Sequence, residues 1–232
     1  MMFYFLTNAP VSKKIRETEW EELSILCRGA ATSVTGKIKC YRLAGTNATY
    51  AYTITASGHR VYLNVMTPVG ETFSLLDYME AWMEIESTQA TQKRIFVCDH
   101  NDRKFTARIG WLNTLGGIDY YTFYGQTSAE AQIERTTFKR ELPTGFTTVD
   151  RGTGILMSSY EEETEIVSDF ETPETIAWLV RCLASPETWI MEDHLTLIPI
   201  VFTSKSHVIS QAGLVQLKLK YKKANSIRVQ NG

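Results

Sequence analysis

The stretch Leu214–Lys223 (LVQLKLKYKK) alternates apolar and polar residues more regularly than any other part of the chain. One side of the extended backbone carries Val215, Leu217, Leu219 and Tyr221, and the other carries Gln216, Lys218, Lys220 and Lys222. A two-residue period is typical of a β-strand with one buried face. We therefore predict a closing strand whose lysines face solvent, where they also discourage unwanted pairing at a sheet edge.

Shorter patterns of the same kind predict strands through most of the upstream sequence. They are Lys37–Leu43, Thr49–Ala56, Arg60–Met66, Arg94–Cys98, Lys104–Trp111, 118–124, 131–141, Trp189–Met191 and Leu195–Thr203. Ser57-Gly58-His59 is a turn signal between the second and third of these, so we expect a β-meander or a hairpin there. The predicted fold class is mainly β with a few helices, an α+β arrangement that is β-sandwich-like or β-barrel-like.

The clearest helix signal covers residues 172–184. Thr172 is a good N-cap, Pro173 takes the first helical position, and Ser185-Pro186 ends the run. We therefore predict one helix in the last third of the chain.

Two further segments carry weaker helix patterns. Residues 18–28 begin with the capping-box pair Thr18 and Glu21 and continue with apolar residues at helical spacing. Residues 74–86 have Ser74 as a cap and an apolar stripe, with an irregular loop as the alternative.

Length and composition fit one compact domain or two small β-rich ones. The 232 residues are 44% apolar and 22% charged, which excludes a disordered chain. We divide the chain into 1–90 (N-terminal arm, short helix and β-meander), 91–141 (β-hairpin region with an aromatic Gly-Gly turn), 142–154 (loop or linker) and 155–232 (C-terminal β region with one helix).

Charge is balanced over the chain but unevenly distributed. The net charge of −2 does not fit a general nucleic-acid binder. Residues 161–193 hold ten acids, among them Glu161, Glu162 and Glu163, against one base, whereas residues 194–232 hold six bases and no acid. Such runs are usually solvated faces. As a further hypothesis, the acidic and basic surfaces meet head to tail between identical neighbours and build a ring.

No motif for catalysis, metal binding or cofactor binding is present. His100, beside Cys98, and His194, in the run Met191–His194, match no zinc or calcium template. Cys27, Cys40, Cys98 and Cys182 show no CxxC spacing, so we expect buried free thiols. We predict no catalytic residue, no metal ligand and no cofactor.

Targeting signals are also missing from the sequence. The apolar start Met1–Leu6 lacks a basic region and is interrupted by Asn8 and Pro10, so no signal peptide is predicted. No apolar run approaches the roughly 20 residues of a membrane span. We expect a protein made in a reducing cytoplasm, without membrane insertion.

The segment 111–123 (WLNTLGGIDYYTF) is the most distinctive in the chain. Gly116-Gly117 allows the backbone to reverse, and Asn113 and Asp119 can hydrogen-bond the turn backbone. The aromatic residues of this hairpin are Trp111, Tyr120, Tyr121 and Phe123. Two interpretations stay open: a hairpin stabilised inside a core, or an interface anchor, since Tyr and Trp carry much of the energy of interfaces.

The pattern Trp-Leu-Asn-x-x-Gly-Gly-x-Asp-x-x-x-Phe in this segment resembles a hairpin of structural proteins from tailed phages that infect Bacteroidetes, crAss-like phages included. Two other stretches fit in the same order: 183–190 (LASPETWI) with 197–201 (LIPIV), and the closing strand Val215–Tyr221, which ends near Ala224. Together these stretches span residues 94–224.

The resemblance implies a non-enzymatic part of the virion tail or of the head–tail connector. Such proteins form rings around the DNA channel and dock on a portal, tail hub or tail tube. This chain would then bind copies of itself and those virion proteins, contact DNA in the channel, and assemble in the host cytoplasm. Reaching arms are usual in such proteins, and we expect Met1–Val11 to be an arm ordered only against a neighbour.

Two other functions stand as alternatives. A carbohydrate- or receptor-binding module of the phage tail would use exposed Trp and Tyr rings that line a groove. A hydrolase would need His100 or His194 in a cleft, beside an acid and a nucleophile. The predicted interface residues are Trp111, Asn113, Gly116, Gly117, Asp119, Tyr120, Tyr121, Phe123, Glu161, Glu162, Glu163, Lys218, Lys220 and Lys222.

Overall fold

The structure, a computed structural model, describes residues 4–26, 33–55, 60–101, 106–124, 128–142, 144–145, 147, 152–191, 196–204 and 213–225. Strands account for 58% of the described residues and helical turns for 8%, so the predicted mainly β fold is confirmed. Within the described residues the strands form three sheets, and the buried apolar side chains form two cores.

The strands, in chain order, are β1 (Ser12–Ile15), β2 (Glu21–Leu26), β3 (Ser33–Arg42), β4 (Asn47–Thr55), β5 (Arg60–Val65), β6 (Leu76–Ile85), β7 (Thr88–Gln89), β8 (Arg94–Cys98), β9 (Ala107–Leu112), β10 (Ile118–Phe123), β11 (Ser128–Lys139), β12 (Thr153–Val167), β13 (Thr188–Met191), β14 (Leu197–Phe202) and β15 (Lys218–Lys223). The helical segments are a 3-10 turn at Phe73–Leu75, the α-helix α1 at Pro173–Leu179 and a 3-10 turn at Val180–Ala184.

The first sheet has the strand order β1-β8-β6-β3-β4, with β7 paired to the end of β6. Strands β1 and β8 are parallel, and the other neighbours are antiparallel. The antiparallel pair β2–β5 packs against this sheet, because Leu23 and Leu63 share one core with Ile38 and Phe96. Leu63 lies over Gly36, where a β-carbon would stand 2.5 Å from Leu63 Cδ1. The N-terminal half is therefore a two-layer β structure.

The second sheet has the order β10-β9-β13-β14-β15-β12-β11, and its neighbours are antiparallel. Helix α1 and the 3-10 turn after it pack on one face, where Ile176, Trp178 and Cys182 contact the core that contains Phe123 and Leu219. A helix on one face of an antiparallel sheet buries the apolar sides of both elements, which is the α+β arrangement.

The predicted helix over 172–184 is present, although only its first part is α-helical. Thr172 caps it by accepting a hydrogen bond from the backbone N–H of Thr175 (3.3 Å), and Pro173 takes the first position. From Val180 the turns tighten to 3-10 geometry and end at Ala184.

The helix predicted over 18–28 is wrong. Residues Glu21–Leu26 form strand β2, and positions 27–28 lie outside the described residues. Glu21, Leu23 and Ile25 are buried on one side of the strand, and Ser24 between the last two is buried as well. A glutamate is rarely buried, and its charge concealed the two-residue period.

The helix predicted over 74–86 is also wrong, as is the irregular loop that was its alternative. Residues Leu76–Ile85 form β6, which lies between β3 and β8. Ala81, Trp82 and Met83 are buried one after another. Since successive residues of a strand point to opposite faces, both faces are covered here, and such a strand shows no alternation.

The first strands form a hairpin rather than a meander. Strands β3 and β4 pair with each other, but β5 pairs with β2. The predicted turn at 57–59 lies outside the described residues. The closing strand is regular from Lys218 onward, and before it Val215 makes an isolated bridge with Glu171. The segment 142–154 joins β11 to β12, which pair along their length.

Candidate functional site

The Gly-Gly hairpin is present and is closed by Asn113. The backbone N–H of Asn113 donates to Gly117 O (2.8 Å), and that of Gly116 donates to Asn113 O (3.0 Å). Asn113 Oδ1 accepts from the backbone N–H groups of Leu115 (2.9 Å) and Gly117 (3.0 Å). Gly116 has φ +82°, a conformation that glycine adopts without strain. The role predicted for Asn113 is therefore observed.

Asp119 does not bond the turn backbone, contrary to expectation. Its buried carboxylate accepts hydrogen bonds from three side chains that come from distant parts of the chain. Thr7 Oγ1 and Asn113 Nδ2 (3.0 Å) donate to Oδ1, and Trp178 Nε1 donates to Oδ2 (2.9 Å). Asp119 thus connects the N-terminal segment, the hairpin and helix α1.

The N-terminal segment packs against its own chain from Phe5 onward, so the expectation of an arm ordered only by a neighbour is wrong for the described residues. The backbone of Leu6 is held on both sides: its N–H donates to Ser24 O (2.8 Å) and its carbonyl accepts from Asn113 Nδ2 (2.9 Å). Arg94 Nη1 donates to Ala9 O (2.7 Å) and also to the next carbonyl (3.0 Å). These contacts recognise backbone rather than side chains.

The four aromatic residues of the hairpin are buried. Trp111, Tyr120, Tyr121 and Phe123 are at most 8% exposed. The rings of Trp111 and Trp178 lie 5.1 Å apart, and those of Tyr121 and Phe123 pack edge to face at 5.0 Å. Burial raises the pKa values of Tyr120 and Tyr121. The structure places these rings in the packed interior and on no open surface.

A buried cluster of four charges joins the two cores, and the sequence analysis missed it. Arg108 of β9 is within 3.2 Å of Glu19 and 2.9 Å of Glu21, and it also donates to the carbonyl of Trp20. Lys13 Nζ lies 2.5 Å from Glu21 and donates to Tyr120 O (2.9 Å). Two cations and two carboxylates leave the cluster neutral. Burial lowers the pKa of Lys13, and Glu21 opposes that shift.

The acidic and basic segments meet within one chain. Strands β12 and β15 are neighbours, and Lys222 Nζ lies 2.7 Å from Glu161, while Lys220 Nζ lies 3.4 Å from Glu163. A hydrogen bond from Thr203 (2.6 Å) and the lysine contacts lower the pKa of Glu163. These charges already have partners, so they give no support to head-to-tail contact between copies.

Glu162 and Lys218 are the other two predicted interface residues on strands β12 and β15. Glu162 is exposed and faces Ala131 of β11, and Lys218 is exposed and faces Val167. The structure thus brings together Glu161, Glu163, Lys220 and Lys222, more than one strand away from the Gly-Gly hairpin in the order of the second sheet. The predicted residues therefore belong to two separate places.

The hairpin β11–β12 extends beyond the body of the second sheet. Strand β12 pairs with β15 along Glu163–Val167, whereas it pairs with β11 from Thr153 to Glu165. Every residue of Ser128–Lys139 is exposed. We call residues 128–142 and 153–162 the ribbon. Its exposed large apolar side chains are Ile133, Phe138, Leu142, Ile155, Leu156, Met157 and Tyr160.

His100, one of the two histidines considered in the sequence analysis, is held in place by its neighbours. His100 shares a hydrogen bond of 2.8 Å with Leu76 O and packs edge-on against Phe73. Among the described residues no group of three or more His, Cys, Asp and Glu side chains is placed to hold a metal ion. His194 lies outside them. Burial raises the pKa of the Cys98 thiol to about 12, which keeps it protonated. In the part of the chain that the structure describes, no helix has the length and apolar character needed to cross a membrane.

Comparisons with known proteins give no family. No protein-family model matches the chain, and no curated protein matches it with significance.

Proposed function

We propose that this chain is a structural protein of a phage virion, in the tail or the head–tail connector. It works by ring-like self-association and by docking to neighbouring tail or portal proteins. The proposal rests on the ordered set of motifs described above and on one structural observation, the ribbon. The ribbon is a long two-stranded projection that carries large apolar side chains in solvent.

A projecting ribbon of this kind is best explained by a neighbour. An isolated two-stranded hairpin is at best marginally stable in water. Leu156 is 63% exposed, and Ile133 and Phe138 are about half exposed. Burying such surface contributes about 25 cal/mol per Å², and grouped exposed apolar side chains mark interaction sites. Contact with another virion protein would bury these apolar side chains and give the two strands a partner to pack against.

The remainder of the molecule suits a rigid scaffold. The hairpin, the N-terminal segment and helix α1 converge on Asp119, and Arg108 joins β9 to β2 through buried charges. Buried networks of hydrogen bonds and ion pairs hold the parts that they join in a fixed arrangement. A fixed relation between the two cores would present the ribbon at a constant angle to neighbouring subunits.

The two alternatives have less structural support. A groove of about 580 Å³ lies beside the hairpin, lined by Trp111, Asn113, Trp178 and Arg181. Its tryptophans are at most 3% exposed, so they present little ring surface for stacking on a sugar. His100 bonds a backbone carbonyl, and its hydrogen bonds give a hydrolase no further support.

The test is quantitative mass spectrometry of purified phage particles, with the copy number of this chain taken relative to the portal protein. We expect a simple symmetric ratio, because ring proteins follow the symmetry of the axis they surround. Absence of the chain from particles would overturn the proposal.

Ribbon variants connect that test to the structure. Leu156→Asp with Met157→Asp places two charges on the ribbon, and we expect at least a tenfold drop in copies per particle. Val69→Asp is the matched control, since Val69 is fully exposed on the other half of the molecule. Normal incorporation of the ribbon variant would show that the ribbon is not the docking element.

A further inference from the structure

The sheet edges of this molecule differ in how they are protected. An edge strand presents unpaired backbone groups that attract another strand, and proteins protect such edges by keeping them short or by adding charge. Among the described residues, the edges β1, β2, β5 and β10 are each six residues or shorter. The long edges are β4, with nine residues, and β11, with twelve.

Strand β11 has the usual protection. It carries Glu130, Glu134, Arg135 and Lys139, and each of these side chains is exposed. A second strand laid along β11 would have to accommodate all four charges. This edge is therefore unfavourable for pairing with an uncharged strand.

Strand β4 has no protection of this kind. Its sequence, NATYAYTIT, contains no charge and no proline, and its threonines and tyrosines favour extended structure. On one side it pairs with β3, and it ends the strand order of the first sheet. Thr49, Ala51 and Thr53 are exposed, and Tyr52 is 40% exposed.

The sequence of β4 is also symmetric. Residues 49–53 read Thr-Tyr-Ala-Tyr-Thr in both directions. In an antiparallel pair of identical strands, a two-fold axis perpendicular to the sheet passes through one position, and residues equally far from it face each other. With the axis at Ala51, Thr49 faces Thr53 and Tyr50 faces Tyr52. Like pairs of threonine and of aromatic residues are favourable across antiparallel strands.

We propose that β4 pairs with β4 of a second copy of this chain, antiparallel and centred on Ala51, so that the first sheets of two copies become one continuous sheet. This inference deepens the self-association in the proposed function and rests on it for its biological setting. A two-fold contact closes a dimer and does not build a ring. The ring then needs a second, head-to-tail contact between copies.

The first test is the molar mass of the full chain in solution, measured by light scattering over a dilution series. We expect twice the 26.4 kDa of one chain at high concentration. Ala51→Lys sets two ammonium groups against each other at the axis, beside Lys37, which is the β3 partner of Ala51. We expect this variant to dimerise at least tenfold more weakly with an unchanged circular dichroism spectrum, since Ala51 is exposed.

The matched control is Ala184→Lys, because Ala184 is also an exposed alanine and lies outside both β4 and the ribbon. We expect its dimerisation to equal that of the unmodified chain. Mixing Ala51→Lys with Ala51→Glu should restore a dimer, since opposite charges then meet at the axis. A monomeric unmodified chain, or equal effects of the two lysine variants, would overturn the proposal.

A cross-link tests the register. Opposed residues of an antiparallel pair have α-carbons about 4.5–5.5 Å apart, which lies within the range that a disulfide spans. Ala51→Cys should therefore form a covalent dimer under mild oxidation, and Ala184→Cys should not. Lack of a cross-link at position 51 in a sample that is dimeric would overturn the proposed register.

These tests separate the contact from the proposed function. A chain that is monomeric in solution but present in particles overturns the β4 contact and leaves the virion role standing. A β4 dimer that is absent from particles supports the contact and overturns the virion role.

Discussion

The carbonyl oxygen of Leu6 lies 1.9 Å from the position that a β-carbon would take on Gly117. The same carbonyl accepts a hydrogen bond from Asn113 Nδ2 (2.9 Å). The N-terminal segment and the hairpin therefore meet backbone to backbone, and only a residue without a side chain allows this approach.

We expect Gly117→Ala to lower the free energy of unfolding by about 1–3 kcal/mol, the range for an inserted methyl group that neighbours cannot avoid. Denaturant titration measures this loss, and proteolysis near Leu6 should accelerate as the segment is displaced. Gly152→Ala is the control, because a β-carbon there meets Leu142 at 3.6 Å, an ordinary contact distance. Equal stability of the two variants would contradict the close approach.

The buried charges around Arg108 give a larger expected effect. Arg108→Met leaves Glu19 without its ion pair and Glu21 with only Lys13. Removing one partner of a buried ion pair costs about 3–5 kcal/mol. Chemical denaturation at neutral pH measures this loss.

The control for this variant is Arg181→Met, because Arg181 is exposed on the 3-10 turn after α1. Its effect should stay within about 0.5 kcal/mol. A loss of that small size in Arg108→Met would mean that the cluster is not buried as described.

Reversing the charge of Lys220 and Lys222 on β15 tests whether their ion pairs with Glu163 and Glu161 form within one chain. Lys220→Glu with Lys222→Glu sets acids against Glu163 and Glu161, and we expect a small loss of stability, because like charges then face each other. Adding Glu161→Lys and Glu163→Lys restores opposite charges and should recover most of that stability. Thermal unfolding of the three proteins at low salt gives the comparison. A quadruple variant as unstable as the double variant would argue against pairing within the chain.

Glu171 makes stability depend on pH. Burial raises the pKa of this carboxyl above its ordinary 4.5, although Tyr121 donates a hydrogen bond to it (2.9 Å). The folded state therefore binds the proton more tightly than the unfolded state. Its contribution to stability is present below pH 4.5 and is lost as the pH rises through the raised pKa.

We expect Glu171→Gln to remove this dependence. Relative to the unmodified chain, the variant should gain stability between about pH 4 and pH 7, because an amide accepts the tyrosine hydrogen bond without a buried charge. Urea denaturation at several pH values measures the gain. Glu174→Gln, at an exposed position in the first turn of α1, should show no such trend.

Local signals in the sequence predict the elements that are locally determined. The cap at Thr172 and the alternation in Lys218–Lys223 are complete within a few residues, and both elements are observed. The helices predicted in place of strands β2 and β6 are wrong because contacts with distant parts of the chain determine these two elements. Glu21 is buried by Arg108, which is 87 residues away, and the middle of β6 is covered on both faces.

The same division applies to the candidate site. The role of Asn113 in the turn follows from its position beside Gly116-Gly117, and it is observed. The partners of Asp119 could not be predicted, because Thr7 is 112 residues away and Trp178 is 59 residues away. No periodicity or spacing joins such residues, so only the fold brings them together.

Those separations also set an order of events during synthesis. Thr7 is synthesised 112 residues before its acceptor Asp119, and Lys14 is synthesised 155 residues before Asp169, with which it pairs. Chains emerge N-terminus first, and contacts over long separations close slowly. A nascent chain that has not reached Trp178 holds its first residues without their final binding site. The N-terminal segment therefore reaches its complete set of contacts only after Trp178 has been synthesised.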